Sequence, residues 1–516
     1  MKKSRWLIIG AILLVTAIVV AAALIGNETK AGLGYTQWQS DRISETFEEN
    51  PNTFEAWIKF PKEQSSETYG GVMLGNFDNT EIAPCLNFEV IKAGQIKVLW
   101  TVQDMPQVQI FDGVNVYTGK WVHLAVVNDM ESNTLSCYID GKLAQTLEGA
   151  YESFTCAQTW VVGGDYRRQN TEFFTGEIHS IALYTDVRTA EEIKGDMTEL
   201  SKEDLLAAWD LSQEPVDGVI ADKSENGYNY HKTWYTEKTQ TPYDYSFAVV
   251  GDTQIVNYEH PEKLACIYDW IVENKESKKI EYVMGLGDIT DKSTPEEWEN
   301  AATQISKLDG VVGYSLVRGN HDIYFQFNDA FKDTPYADSF DGQFDYKLEN
   351  TWREVVAGEE KYLIFTLDIG PSEEVLAWAG NIISDHPDHK AIITTHVYLS
   401  VAGNYLVGES VSKCGGKNDA QEMWDKLFSK HENILMVICG HAPCDYVIYN
   451  RKLGEKGNDV IELLVDPQNV DNKLGATGMI TLLNFSENGK KITVETISTV
   501  NGAYFYADNQ YEIEIP

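Results

Sequence analysis

Five short clusters of Asp, Asn and His in the second half of the chain have the residue types of a metal site. They are Gly-Asp-Thr-Gln at 251–254, Gly-Asp-Ile-Thr-Asp at 287–291, Gly-Asn-His-Asp at 319–322, Thr-His at 395–396 and Gly-His-Ala-Pro at 440–443. Carboxylate, amide and imidazole donors favour a hard or borderline divalent ion and the hydrolytic chemistry such an ion supports. Gly-Asp-Thr-Gln alone reads as a turn, because Gly and Asp are turn residues, whereas Gly-Asn-His-Asp directly after an apolar run fits a site better than a core. All five in order, each directly after an apolar run, read as a site.

The apolar runs are 247–250, 282–286, 314–317, 391–393 and 434–438. Each has the length and composition of a buried strand. Ends of parallel strands are where open α/β sheets place their sites. Helical patterns at 261–276, 295–308, 372–383 and 419–431 alternate with the strands, and one starts with Thr294 followed by Pro295. This alternation predicts a layered α/β domain over 241–516. The stretch 324–350 lacks periodicity and is expected to be a long surface insertion beside the site. His386 and His389 fall in a polar turn and are expected at the surface. Asp466 and Gln468 end a further apolar run and receive no role.

The first half has another rhythm. Phe54, Ala56, Ile58 and Phe60 alternate with Glu55, Trp57 and Lys59, the pattern of a half-buried strand. Further strand candidates lie at 121–127, 135–139 and 178–184, with turn signals at Asp140-Gly141 and Gly163-Gly164 between them. Many short strands with little helix predict a β-sandwich or jelly roll. Residues 205–211 read as one more strand or a short helix, and 222–227 as a turn that returns to the sandwich, so this domain is taken as 31–238. His123 and His179 sit on strand faces with no clustered partners, which favours structural roles.

Two family resemblances follow. Residues 53–60, 121–127, 137–143 and 174–178 resemble the laminin-G-like, concanavalin-like jelly-roll family, which implies glycan or protein binding or plain scaffolding. Residues 245–468 resemble the calcineurin-like metallophosphoesterase superfamily, most specifically at 287–291 and 319–322. That resemblance implies two divalent metal ions. Asp288 would bridge them, Asn320, His396 and His441 would complete one site, and Asp252 would ligate the other. His321 would be the catalytic histidine, oriented by Asp291. The family's Asp-x-His is Asp252-Thr-Gln254 here, and its Gly-His-x-His is Gly440-His-Ala-Pro443, so both imidazoles of one metal are missing. Gln254 and Asp445 are the substitutes suggested, and oxygen ligands shift the preference from Zn toward Mn, Mg or Ca, with Fe less favoured. That metal is expected to be weakly held. Lys292 and Arg318 are candidates for binding substrate phosphate.

The 516 residues are too many for one core, and the net charge of −38 argues against a nucleic-acid partner. Lys2, Lys3 and Arg5 precede an apolar run at 6–26, the pattern of an export signal or membrane anchor within 1–30. The rest of the chain is then expected outside the cytoplasm. Seven cysteines show no CxxC spacing; Cys137 and Cys439 read as buried hydrophobes, and a disulfide among Cys85, Cys137 and Cys156 is open. The expectation is a multidomain protein, an all-β jelly roll followed by an α/β metallophosphoesterase, acting on a phosphomonoester or phosphodiester and meeting a cell-surface glycan or protein through the jelly roll. The alternative is a binding protein with impaired catalysis.

Overall fold

The computed structural model describes residues 30, 33–34, 41–43, 46–47, 49–62, 64–76, 85–102, 105–152, 159–164, 173–468, 478–487 and 489–515. The apolar N-terminal run and Cys156 lie outside these residues, so the anchor and the disulfide expectations fall there too. The chain divides into two compact units, Met1–Lys238 and Thr239–Pro516.

The first unit is a sandwich of two antiparallel sheets. One runs Leu33–Gly34, Glu177–Tyr184, Thr53–Lys59, Val122–Asp129, Thr134–Ile139, Lys142–Glu148. Leu205–Asp210, read from sequence as strand or helix, is a strand paired with Glu177–Tyr184. The other sheet runs Val219–Ile220, Tyr230–His231, Asp41–Ile43, Val161–Val162, Gly71–Gly75, Leu86–Val90, Ile96–Val102, Met105–Phe111. The period-2 pattern sends Phe54, Ala56 and Ile58 into the core, where Phe54 stacks on Phe88 at 4.3 Å. The opposite face of that strand is covered as well. Glu55 is buried there, with His123 Nε2 3.2 Å from its carboxylate and Arg188 bridging to Asp196 at 2.7 Å. His123 therefore has clustered partners, contrary to the sequence expectation. They come from a neighbouring strand and a distant loop, which sequence adjacency does not display.

The second unit has two sheets. In one, Tyr245–Val250, Ile280–Gly285 and Gly313–Leu316 run parallel, extended by antiparallel Met479–Ser486 and Lys491–Ser498. In the other, Glu360–Thr366, Lys390–Thr394, Ile434–Cys439 and Asp459–Leu464 run parallel, edged by Thr351–Ala357 and Ile448–Leu453. Phe247, Val249, Met284, Tyr362, Ile392, Ile438, Leu463 and Phe485 share one core cluster, so strands of both sheets bury apolar faces together. A second cluster lies where Val375, Leu376 and Ile383 of the helix Glu373–Asp385 meet Leu363, Phe365 and Ile393. This is the layered α/β architecture, with the helix Pro295–Ile305 started by a reciprocal Thr294/Glu297 capping box.

Two sequence expectations are corrected here. The stretch 324–350 lies largely at the surface, but it is not irregular throughout. It forms the helix Tyr324–Phe331, whose Phe327 and Phe331 are buried one turn apart against Trp298, followed by fully buried Tyr336. The Tyr336 hydroxyl accepts the Leu316 N–H at 2.8 Å and so completes the edge of a strand. His389 is also buried, its Nδ1 3.0 Å from Asp388 and its Nε2 3.5 Å from Glu354, while His386 packs on Trp352. Trp352 and Glu354 of the strand Thr351–Ala357 supply the neighbours of His386 and His389 respectively.

Candidate metal centre

Each cluster sits just past the C-terminal end of a parallel strand. Asp252 follows Tyr245–Val250, Asp288 follows Ile280–Gly285, and Asn320 and His321 follow Gly313–Leu316. From the other sheet, His396 follows Lys390–Thr394 and His441 follows Ile434–Cys439. Strand ends from two sheets therefore face one region, as open sheets allow. The loops approach closely. A Cβ on Gly319 would lie 2.1 Å from Asp288 Oδ1, and one on Gly440 would lie 2.2 Å from Asp252 Oδ1. Asp288 and His441 adopt the left-handed backbone region, with φ of 45° and 75°, a conformation that persists only where surroundings enforce it.

The ligand atoms of Asp288, His396 and His441 lie within 4.8 Å of one another. His396 Nδ1 lies 2.8 Å from the Leu286 carbonyl, which only a protonated Nδ1 can satisfy. Its Nε2 is 3.0 Å from Asn320 Oδ1 and 3.4 Å from Asp288 Oδ1. Burial opposes a charge on His396, but Asp288 outweighs it and raises the proton affinity of the ring. Burial and then the nearby His396 push His441 down to about 4, so its ring is neutral at pH 7. Burial also opposes charge on Asp288, but His396 and the His321 N–H, 2.9 Å from Oδ1, hold its carboxyl below the usual range. An ionised carboxylate, a neutral imidazole and an Nε2 surrounded by oxygens form a donor set that a divalent cation fits, replacing the proton on His396.

The second position is built differently. Gln254 Nε2 donates to Asp288 Oδ2 at 3.2 Å, and Asp252 Oδ2 accepts the His441 N–H at 2.9 Å. Asp445 is half-buried, and its main-chain carbonyl takes the Asn509 amide at 2.9 Å. The carboxylate set against Asp252 is that of Asp466. Burial, then Asp466 and Asp288, raise Asp252 well above the usual carboxylate range.

His321 is more exposed than these groups. Its Nδ1 lies 2.9 Å from the Asp291 carbonyl and 3.3 Å from Asp291 Oδ1, leaving Nε2 for other contacts. Lys292 pairs with Asp291 and stands over the Tyr258 ring at 4.9 Å, with its side chain 57% exposed. Arg318 bonds Asp368 at 2.8 Å and the Gly319 and Asp322 carbonyls at 3.3 Å, contacts that brace the 319–322 turn. Its guanidinium is thus bound up in protein contacts.

Sequence reasoning left three contributors without a role. Asp322, fully buried, accepts N–H groups from Gly319, Ile289 and Thr290 and the Thr290 hydroxyl, at 2.9–3.1 Å, and so ties two clusters together. Glu297 caps its helix and accepts the Asp291 and Lys292 N–H groups at 2.7 and 3.1 Å. Asp466 follows the strand Asp459–Leu464, a sixth strand end at the site. Position after an apolar run was the one signal for it.

Residues 32–194 match the family model for the concanavalin A-like lectin/glucanases superfamily, and residues 245–445 match that for calcineurin-like phosphoesterases. The chain thus joins a concanavalin-like jelly roll to a calcineurin-like metallophosphoesterase domain, in that order. It is 28% identical over 290 residues to the uncharacterized protein YvnB of Bacillus subtilis, an alignment covering 52% of this chain and 21% of that protein. It is 26% identical over 207 residues to a probable glycerophosphodiester phosphodiesterase, GpdQ, of Arcobacter nitrofigilis, covering 37% of this chain and 70% of the relative. A dimetal phosphatase from Danio rerio superposes with a TM-score of 0.37 at 13% identity, covering 53% of this chain and 100% of that one.

Proposed function

We propose that this protein is an exported, metal-dependent hydrolase of phosphoric esters, carried beside a jelly roll that recognises a surface ligand. The observation that carries the reading is the convergence of Asp288, Asn320, His396 and His441 beside a half-exposed His321. Bound divalent ions would polarise a phosphoryl oxygen and supply hydroxide near neutral pH. Asp288, Asn320, His396 and His441 would hold one ion, and Asp288 with Asp252 the other. His321 Nδ1 is anchored on Asp291, so Nε2 is the nitrogen left to contact the phosphate and deliver a proton to the leaving oxygen. Lys292, on a flexible stem, would meet phosphate as a point charge. The name of the relative GpdQ supports a diester among the substrates to be tried. Export rests on the basic residues before the apolar run at 6–26. Recognition by the jelly roll is supported by its family match and by a cavity of about 580 Å³ in that unit lined by Trp57, His179, Asp210 and Lys223.

The missing imidazoles favour a second reading, a binding protein with impaired catalysis. A panel of phosphomonoesters and phosphodiesters, offered to metal-stripped protein resupplied with Mn, Mg, Ca or Zn, separates the two. Hydrolysis restored by one of these ions is expected. Tight ligand binding without turnover across the whole series would support the second reading.

A further inference from the structure

Three buried side chains at the second metal position present oxygens that no protein donor satisfies, beside Asp288, whose own two oxygens are both bonded. Asp252, Gln254, Asp288 and Asp466 are each no more than 2% exposed. Asp252 Oδ2 is held by the His441 N–H and Asp466 Oδ1 by the Gln468 N–H at 3.1 Å. Their other oxygens, Asp252 Oδ1 and Asp466 Oδ2, have no hydrogen-bond partner, and neither has Gln254 Oε1. The two carboxyls are charged neighbours of each other, and Asp288 opposes the charge of both. Among the described residues no Lys or Arg forms an ion pair with any of the three. Buried carboxylates in contact need a proton or a cation between them. A shared proton would settle one oxygen pair and leave Gln254 Oε1 orphaned. A cation is the partner that buried, unsatisfied carboxylate and amide oxygens have in common.

We infer that Asp466 is a direct ligand of the second metal, which replaces the absent imidazoles and makes that position an all-oxygen site. Asp252, Asp466 and Gln254 with bridging Asp288 form a hard donor set, suited to Mn, Mg or Ca rather than Zn. The sixth strand end thus supplies the ligand that Pro443 cannot. The residue is held rigidly, because its own carbonyl accepts the Cys444 N–H at 2.9 Å beside the fifth cluster.

This inference rests on the phosphoesterase reading, but metal binding tests it without reference to turnover. Full-length, metal-stripped protein is titrated with Mn, with free ion read by electron paramagnetic resonance. Two bound ions are expected in the unmodified chain, one of them free of ¹⁴N coupling in pulsed spectra. Asp466→Asn should keep the nitrogen-coupled ion and weaken the other by at least about 10–100-fold, since even outer partners of metal ligands cost that much. His396→Ala should show the reverse. Two ions in Asp466→Asn with unchanged affinity would overturn the assignment. If that variant does not fold, the unmodified chain decides: one bound ion, or ¹⁴N coupling on both, overturns it. One ion with phosphoester hydrolysis would reject the Asp466 assignment and leave the proposed function standing. Two ions of the expected kinds with no hydrolysis would do the opposite.

Discussion

Single residues hold the site by a few buried polar contacts, and their removal is measurable. Asp322 is the clearest, since four donors from three residues converge on its two oxygens. Asp322→Ala leaves those donors unsatisfied, so unfolding free energy in denaturant titration should fall by at least about 2 kcal/mol, with loss of bound metal. Far from the site, Asp210 gives a pH signature. Burial opposes its charge, but Ser212 and Lys223 outweigh this and hold its carboxyl at about 2. A carboxyl depressed in the folded state adds stability above its unfolded value near 4, and that gain is lost as pH falls through about 2. Asp210→Asn should therefore destabilise the jelly roll at pH 7 by roughly 1 kcal/mol, after allowance for solvent screening. The two proteins should converge near pH 2 in thermal melts. The Asp, Asn and His of the five clusters were legible because ligand types after apolar runs are a local pattern. Asp466 was visible only as a strand end, because its partner Asp252 lies more than two hundred residues away.

At the scale of elements, strand ends aim the side chains of the five clusters and helix starts fix the loops between them. The Thr294/Glu297 capping box is one such device, because the Glu297 carboxylate also accepts the Asp291 N–H. Thr294→Ala should cost about 1 kcal/mol in stability and loosen the carbonyl that anchors His321. The expected kinetic result is a fall in kcat at unchanged metal content. Strands and helices were well marked by period, since Phe54, Ala56 and Ile58 alternate and the Pro295 helix carries its cap in sequence. The helix Tyr324–Phe331 was missed because eight residues give too few turns for a periodic signal, although Phe327 and Phe331 share its buried face. The partners of His123 and the burial of His389 were missed for another reason. Glu55 reaches His123 and Glu354 reaches His389 from other strands, and no spacing along the chain records that.

For the whole molecule, the division into Met1–Lys238 and Thr239–Pro516 gives each unit its own core. The change from a β-only to an α/β rhythm near residue 240 marked two domains, but which sheet each phosphoesterase strand joins was not legible, since a buried strand looks alike in either. A chain of residues 239–516 should fold and bind Mn without the jelly roll, as read by circular dichroism and metal analysis; insolubility unless 31–238 are present would contradict independent cores. The central claim is that the strand-end cluster is a phosphoesterase centre with His321 as its acid and not a ligand. The most direct measurement compares turnover and bound metal in Mn-loaded full-length protein and its His321→Ala variant on the best phosphoester of the panel. The expected result is a loss of about 10²–10⁴-fold in kcat with the same metal content. Equal turnover in the two proteins, or metal lost along with the imidazole, would contradict it.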